Sequence, residues 1–237
     1  MSHKVIAIVP SAGLGRRFGS DANKPFQILG GKPLVVWALE ALESVDAIEE
    51  IIPVLRKEDV ERGIEVFRSY NISKTKRVAA GGKERQDSVY NGLKLIGDKN
   101  CIVLIHDGVR PFIEKDLIEK VIKELLKGGK GGLKSFDGVV LGVPVKDTIK
   151  EAESGIIKST IRRDSLWAIQ TPQVFPYKKI SAAYKKSIKE GFYSTDDAAL
   201  MERYGGKIKV IMGSYSNIKI TTPDDLIFAE YLISKNY

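Results

Sequence analysis

The sequence predicts an α/β fold: a mostly parallel, Rossmann-like sheet with helices on both faces, plus a protruding β-arm. Three observations carry this. Short β-branched runs alternate with amphipathic stretches along most of the chain, the pattern of strands joined by crossover helices. The runs are almost continuously apolar, as strands covered on both faces must be. One segment, 145–170, departs from the pattern and alternates polar with apolar residues about a turn.

In chain order the pattern predicts strand 4–10, a helix from Pro33 to about Ser44, strand 51–55, helix 58–70, strand 76–79 and helix 87–96. Strand 101–106, helix 115–126 and strand 139–144 follow. Pro33 and Pro223 stand where first-turn helix prolines belong, and Thr222 is a good N-cap for a helix over 223–234. Within the arm, Lys146 to Lys150 and Ile156 to Ile161 flank the turn Glu153-Ser154-Gly155. An isolated hairpin is marginal in water, so a partner chain is expected to cover it.

The 237 residues, 43% of them hydrophobic, suit one domain over 1–237. No apolar run approaches the roughly 18 residues that cross a membrane, and Met1-Ser2-His3-Lys4 runs into a strand without a signal-peptide pattern. A cytoplasmic protein without membrane partners is expected. The single cysteine, Cys101, opens an apolar run and reads as a buried thiol. The net charge of +8 is spread along helix-like stretches such as Lys115 to Lys130, with no nucleic-acid-binding motif beside it, which favours small anionic ligands over nucleic acid.

The first strand runs into Pro10-Ser11-Ala12-Gly13-Leu14-Gly15-Arg16-Arg17-Phe18-Gly19, followed by Lys24. Glycines let backbone N–H groups close on anionic oxygens, and the cations neutralise them. Phe18 stands where a dinucleotide fingerprint needs its third glycine, and the Gly-Lys-Ser/Thr of a Walker A loop is absent. Ligands of open α/β sheets lie beyond the carboxyl ends of the strands, and further polar clusters fall there. They are Ala80-Gly81-Gly82-Lys83-Glu84-Arg85-Gln86-Asp87-Ser88, His106-Asp107-Gly108-Val109-Arg110-Pro111 and Asn217-Ile218-Lys219. Asp107 at a strand end is suited to holding Mg²⁺ on a triphosphate.

Together these motifs resemble the 2-C-methyl-D-erythritol 4-phosphate cytidylyltransferases. The likeness runs nearly end to end, continuing through Pro144-Val145 with Asp147-Thr148-Ile149-Lys150, Leu166-Trp167 with Gln170-Thr171-Pro172-Gln173, and Thr195-Asp196-Asp197-Ala198. The resemblance implies a nucleotidyltransferase fold in which CTP and a polyol phosphate react with Mg²⁺ to give a CDP-polyol and pyrophosphate. It implies catalytic roles for Arg17, Lys24 and Lys219, and nucleotide binding by Ala12, Gly13, Gly15, Gly82 and Ser88, the last two reading cytosine. It implies substrate binding by Arg110, Arg163, Thr171, Thr195 and Asp196, with Asp107 on the metal. The 145–170 arm would swap across a homodimer and complete the partner's pocket. Two positions depart from the family pattern: Asn23 and Pro25-Phe26 surround Lys24 where Pro-Lys-Gln is usual, and Lys83 stands where an acidic residue is common.

Plainer readings stand beside these. Asp107 suits an ion pair or a helix cap, His106 a packed strand-end histidine, Asp196 and Asp197 a helix start, and Arg85 a residue that orients its loop. Alternative activities are a ribitol 5-phosphate cytidylyltransferase and a nucleotide-binding module without turnover. A basic RNA-binding protein is the remaining alternative.

Overall fold

The computed structural model of the chain describes residues 4–13, 24–128 and 136–235. Eleven strands and seven α-helices form among them: β1 (Val5–Pro10), β2 (Ile28–Leu29), β3 (Lys32–Pro33), α1 (Leu34–Glu43), β4 (Ile48–Leu55), α2 (Val60–Ser69), β5 (Ala79–Ala80), α3 (Arg85–Leu95), β6 (Ile102–Ile105) and α4 (Lys115–Gly128). Then come β7 (Gly138–Pro144), β8 (Ile149–Glu153), β9 (Ile156–Ile161), β10 (Trp167–Pro176), α5 (Tyr177–Glu190), α6 (Asp197–Arg203), β11 (Ile208–Met212) and α7 (Pro223–Ser234).

The central sheet has the order β11-β7-β10-β6-β1-β4-β5. β1 pairs parallel with β4 and β6, β4 with β5, and β7 with β11, while β10 alone runs antiparallel, between β6 and β7. Alternation along β1 explains why both faces are covered. Val5, Ala7 and Val9 point into one core with residues of α1, α2 and α4; Ile6 and Ile8 point into another with α3, α5 and α6. A third, smaller cluster gathers Leu29, Leu34, Phe112, Ile220 and Ala229, and seats α7 beside the β2–β3 hairpin.

Several expectations change here. Strand 76–79 shrinks to Ala79–Ala80, a two-residue edge strand, and α3 begins at Arg85 rather than 87 because Glu84 and Asp87 close a capping box. Pro33 is not in a first turn: it ends β3 and precedes α1. Pro223 is the first residue of α7, with Thr222 accepting the Asp225 N–H in a second capping box. β10 begins at the end of the 145–170 segment, runs on to Pro176 and joins the central sheet. The arm is present as β8 and β9, almost wholly exposed, around a turn where Ser154 and Gly155 both take positive φ, 51° and 80°. Cys101 is buried just before β6, and burial pushes its thiol up to about 11.

The end of β6 is fixed by a buried histidine. His106 is fully buried; its Nε2–H donates to the Arg110 carbonyl at 3.1 Å, and its Nδ1 accepts the Thr171 hydroxyl from β10 at 3.1 Å. Thr171 Oγ1 in turn accepts the Asp107 N–H at 3.0 Å. A neutral ring protonated on Nε2 satisfies this chain of bonds, and burial lowers the pKa from 6.5 to about 4. The unfolded chain therefore takes up a proton near pH 6.5 that the folded chain refuses until about pH 4, so stability is full above pH 6.5 and falls as pH drops. By pH 5 the loss reaches about 2 kcal/mol. Urea unfolding at pH 7 and pH 5 measures it, with the His106→Gln variant expected to show a flatter profile; equal slopes in the two proteins would exclude this origin.

Candidate active site

A cavity of about 660 Å³ opens at the carboxyl ends of β1, β4, β5 and β6. Ala12 and Gly13 continue β1 into it, Arg56 to Glu58 follow β4, Gly81 to Arg85 lead from β5 into α3, and Asp107 follows β6. Lys24, and Lys219 on the loop after β11, complete its charged wall. Among the described residues, Lys24, Arg56, Lys57, Lys83, Arg85 and Lys219 face only Glu58, Glu84 and Asp107, so the cavity is suited to a polyanion.

Close approach of main chain dictates its floor. A Cβ on Gly81 would lie 2.3 Å from the Ala12 Cβ, and one on Gly82 would lie 2.3 Å from the Asp87 Cβ. Glycine at 81 lets this turn come against the first loop, and glycine at 82 lets it fold back on the first turn of α3. Gly82 N–H donates to Ser88 Oγ at 3.1 Å, and that hydroxyl donates to the Glu84 carbonyl at 3.2 Å. These bonds hold the turn that leads into α3 in a fixed shape at the cavity wall.

Asp107 is the electrostatic centre. It is 5% exposed, with Lys219 Nζ at 2.8 Å, Arg85 Nε at 3.0 Å and Arg110 Nε at 3.7 Å. Burial pushes its pKa up, but the charges of Arg85, Lys219 and Arg110 outweigh that and hold the carboxyl well below the usual carboxylate range. Arg85 continues the chain of charges: its Nη2 donates to Asp197 Oδ2 at 2.8 Å, and Asp197, fully buried, accepts the Tyr184 hydroxyl. Burial opposes the Arg85 charge, yet Asp197 and Asp107 raise its pKa well above the ordinary value.

The structure brings Ala12, Gly13, Lys24, Gly82, Ser88, Asp107 and Lys219 together around the cavity. Arg17 and Gly15 lie outside the described residues. Arg110 and Thr171 stand behind Asp107 rather than on the cavity wall. Arg110 is 8% exposed and donates from Nη1 to the Asn217 carbonyl at 2.7 Å, while the Thr171 hydroxyl serves His106 and Asp107. Arg163 is exposed at the base of the arm, where its Nη1 donates to the Lys146 carbonyl at 2.7 Å. Thr195 is exposed just before α6; Asp196 caps that helix through Ala199 N–H at 2.8 Å and also accepts Gln173 Nε2 at 2.8 Å. Sequence reasoning passed over Arg56 and Lys57, although their place after strand 51–55 marked them under the strand-end rule. It read Arg85 as a residue that orients its loop, and the structure puts it on the cavity wall, bonded to Asp107 and to Asp197, 112 positions away.

A family model described as 2-C-methyl-D-erythritol 4-phosphate cytidylyltransferase matches residues 5–235. A 2-C-methyl-D-erythritol 4-phosphate cytidylyltransferase of Syntrophus aciditrophicus is 43% identical over 239 residues, 99% of this chain and 98% of its own length. One from Geotalea uraniireducens is 42% identical over 96% of this chain and 95% of its own. Among solved structures, the 4-diphosphocytidyl-2C-methyl-D-erythritol synthase of Anaerococcus prevotii superposes with a TM-score of 0.82 at 34% identity, covering 98% of this chain and 97% of that one. The cation-lined cavity at the strand ends and these full-length likenesses agree: the chain belongs to the 2-C-methyl-D-erythritol 4-phosphate cytidylyltransferase family, which are CTP-dependent nucleotidyltransferases.

Proposed function

We propose that the protein transfers the CMP moiety of CTP to 2-C-methyl-D-erythritol 4-phosphate, giving 4-diphosphocytidyl-2-C-methyl-D-erythritol and pyrophosphate. The observation that carries this reading is the cation-rich cavity built over Asp107, in a chain similar over its whole length to enzymes of that name. The acceptor phosphate is already a competent nucleophile, so alignment with the α-phosphate and stabilisation of the charge that develops there suffice. Consistent with this, His106, the histidine beside the site among the described residues, is buried, neutral and bonded at both nitrogens, and no proton relay is required of it.

Lys219 is poised for charge stabilisation: its ammonium already sits at the cavity wall, and a bound phosphate offers it a second anion beside Asp107. Lys24 supplies charge from the opposite end of the first loop, with Arg17 proposed to join it. Ala12, Gly13 and Gly15 would follow the phosphates, and Gly82 with Ser88 would read the cytosine. Arg163, Thr195 and Asp196 are proposed to serve the acceptor side, with Arg110 and Thr171 supporting it from behind Asp107.

Among the described residues no group of three or more acidic, histidine or cysteine side chains gathers as a metal cage. The cavity has room for a polyanion, and its strand-end carboxylate suits a hard cation whose other ligands are phosphate oxygens and water; Asp107 would hold Mg²⁺ in that way once Lys219 turns from it to a phosphate. When bound, Mg²⁺ would neutralise triphosphate charge and favour departure of pyrophosphate.

The arm is proposed as the interface of a homodimer. Ile156 and Ile157 on β9 are 73% and 60% exposed, more apolar surface than a lone hairpin gives to water without a partner. The protein is proposed to work in the cytoplasm; no helix among the described residues is long and apolar enough to cross a membrane.

Pyrophosphate release with CTP and Mg²⁺ tests the reaction, with 2-C-methyl-D-erythritol 4-phosphate expected to be preferred over ribitol 5-phosphate, and CTP over ATP, GTP and UTP. Lys219→Ala and Lys24→Ala should each lower kcat by roughly 10²–10³, about 3–4 kcal/mol of transition-state stabilisation, with a much smaller change in unfolding midpoint. Unchanged turnover in both would remove the charge-stabilising assignment. Replacing Ile156 and Ile157 with lysine should convert a sedimenting dimer to monomer and reduce activity, whereas a monomeric, fully active wild type would contradict the arm's role.

A further inference from the structure

Three consecutive residues in the first turn of α3 each bond to one short stretch of chain, residues 192–197. Arg85 Nη2 donates to Asp197 at 2.8 Å. Gln86 accepts the Ser194 N–H at 2.9 Å and donates from Nε2 to the Phe192 carbonyl at 2.9 Å and to Ser187 Oγ at 3.2 Å. Asp87 Oδ1 accepts the Tyr193 hydroxyl at 3.1 Å. The same turn borders the cavity on its other side through Arg85 and Ser88. Gln86 is not on the wall of that cavity; it is 6% exposed, beside a smaller hollow of about 230 Å³ that Tyr193 also lines, and its amide is bonded to the end of α5 and to the 192–194 main chain.

We propose that Gln86 is a positioning residue: with the Tyr193–Asp87 bond it sets the 192–197 segment relative to the nucleotide-facing turn of α3, and so tunes affinity for the acceptor polyol phosphate. The proposal rests on the reading that Thr195 and Asp196 serve the acceptor side. Its physical basis is a short, partly exposed segment in which residues 192–194 are held by side chains of α3, while Asp196 is anchored separately to Gln173 of β10. Loosening those side chains leaves the nucleotide-facing groups of α3 in their own capping box, held by Glu84 and Asp87. The effect should therefore fall on one substrate and not on both.

Steady-state kinetics of Gln86→Ala and Tyr193→Phe, with each substrate varied in turn, provide the test. Tyr193 is 54% exposed, so its variant loses one hydroxyl bond without a packing defect, even if Gln86→Ala folds poorly. The expected result is a rise in KM for 2-C-methyl-D-erythritol 4-phosphate, about five-fold or more for Gln86→Ala and smaller for Tyr193→Phe, with kcat and the KM for CTP within two-fold of wild type. A KM for the acceptor that stays at the wild-type value in both variants, or that rises in step with the KM for CTP, overturns the positioning role while leaving the activity in place. Absence of turnover in the wild type itself with this acceptor overturns the parent reading, and this inference with it.

Discussion

The buried carboxylate of Asp107 is the constraint around which the site is arranged. Taking an ion of this kind out of water costs several kcal/mol, and the cost is tolerable only with opposite charge and hydrogen bonds close by. Arg85 comes from α3, Arg110 from the loop after β6, and Lys219 from the loop after β11, so one carboxylate draws three separate stretches of chain to the end of one strand. Arg85 extends the same reasoning to α6 and α5 through Asp197 and Tyr184. Loss of Arg85 would leave two buried carboxylates, Asp107 and Asp197, short of opposite charge, which ties the fold's integrity to that residue; the partly exposed Lys219 can be lost with Arg85 and Arg110 still beside the acid.

The arrangement also addresses a difficulty of polyanion sites, that cations gathered for the ligand repel one another while it is absent. Asp107 neutralises part of that repulsion and holds Lys219 at the cavity wall before any phosphate arrives. Charge placed in advance costs little reorganisation when the reaction needs it, which is the main source of catalytic power in phosphoryl and nucleotidyl transfer. The His106–Thr171 chain does related work beneath: it fixes the main chain on both sides of Asp107 with uncharged bonds, so the acid's direction does not depend on the cations alone.

Much of the frame was legible in the sequence because its signals are local. The apolar β-branched runs of β1, β4 and β6 need burial on both faces, and the Ser154-Gly155 turn with its flanking alternation marks the arm. The strand-end rule puts Ala12, Gly82, Asp107 and Lys219 at one edge from the sequence alone. β10 was hidden because it carries Gln170, Thr171 and Gln173 with two prolines, which read as loop. Those polar side chains are buried and bonded, Gln173 to Asp196 and Ala198, Thr171 to His106, so their chemistry belongs to the site network rather than to a plain strand. The pairing of Arg85 with Asp197 was invisible for a different reason: nothing in 112 residues of separation tells one carboxylate from another.

Arg110 shows why residue type at a strand end is not enough to assign a role. It follows Asp107 by three positions and looks like one more cation for an anionic ligand. In the fold, its guanidinium is buried behind the acid, burial pushes its pKa down against the pull of Asp107, and its Nη1 is used by the Asn217 carbonyl. That bond matters two residues later. Asn217, fully buried, also donates from Nδ2 to the Thr171 carbonyl at 2.9 Å, so the loop is anchored to both β10 and the β6 end just before it presents Lys219. The cations thus form two layers: an inner one that holds main chain in place, and an outer one, with Lys219 and Lys24, that faces the cavity. An arginine suits the inner layer because its fixed fork can hold a carbonyl while its charge is still felt by the acid beside it; a lysine suits the outer layer because its flexible stem lets one ammonium pass from a carboxylate to a phosphate.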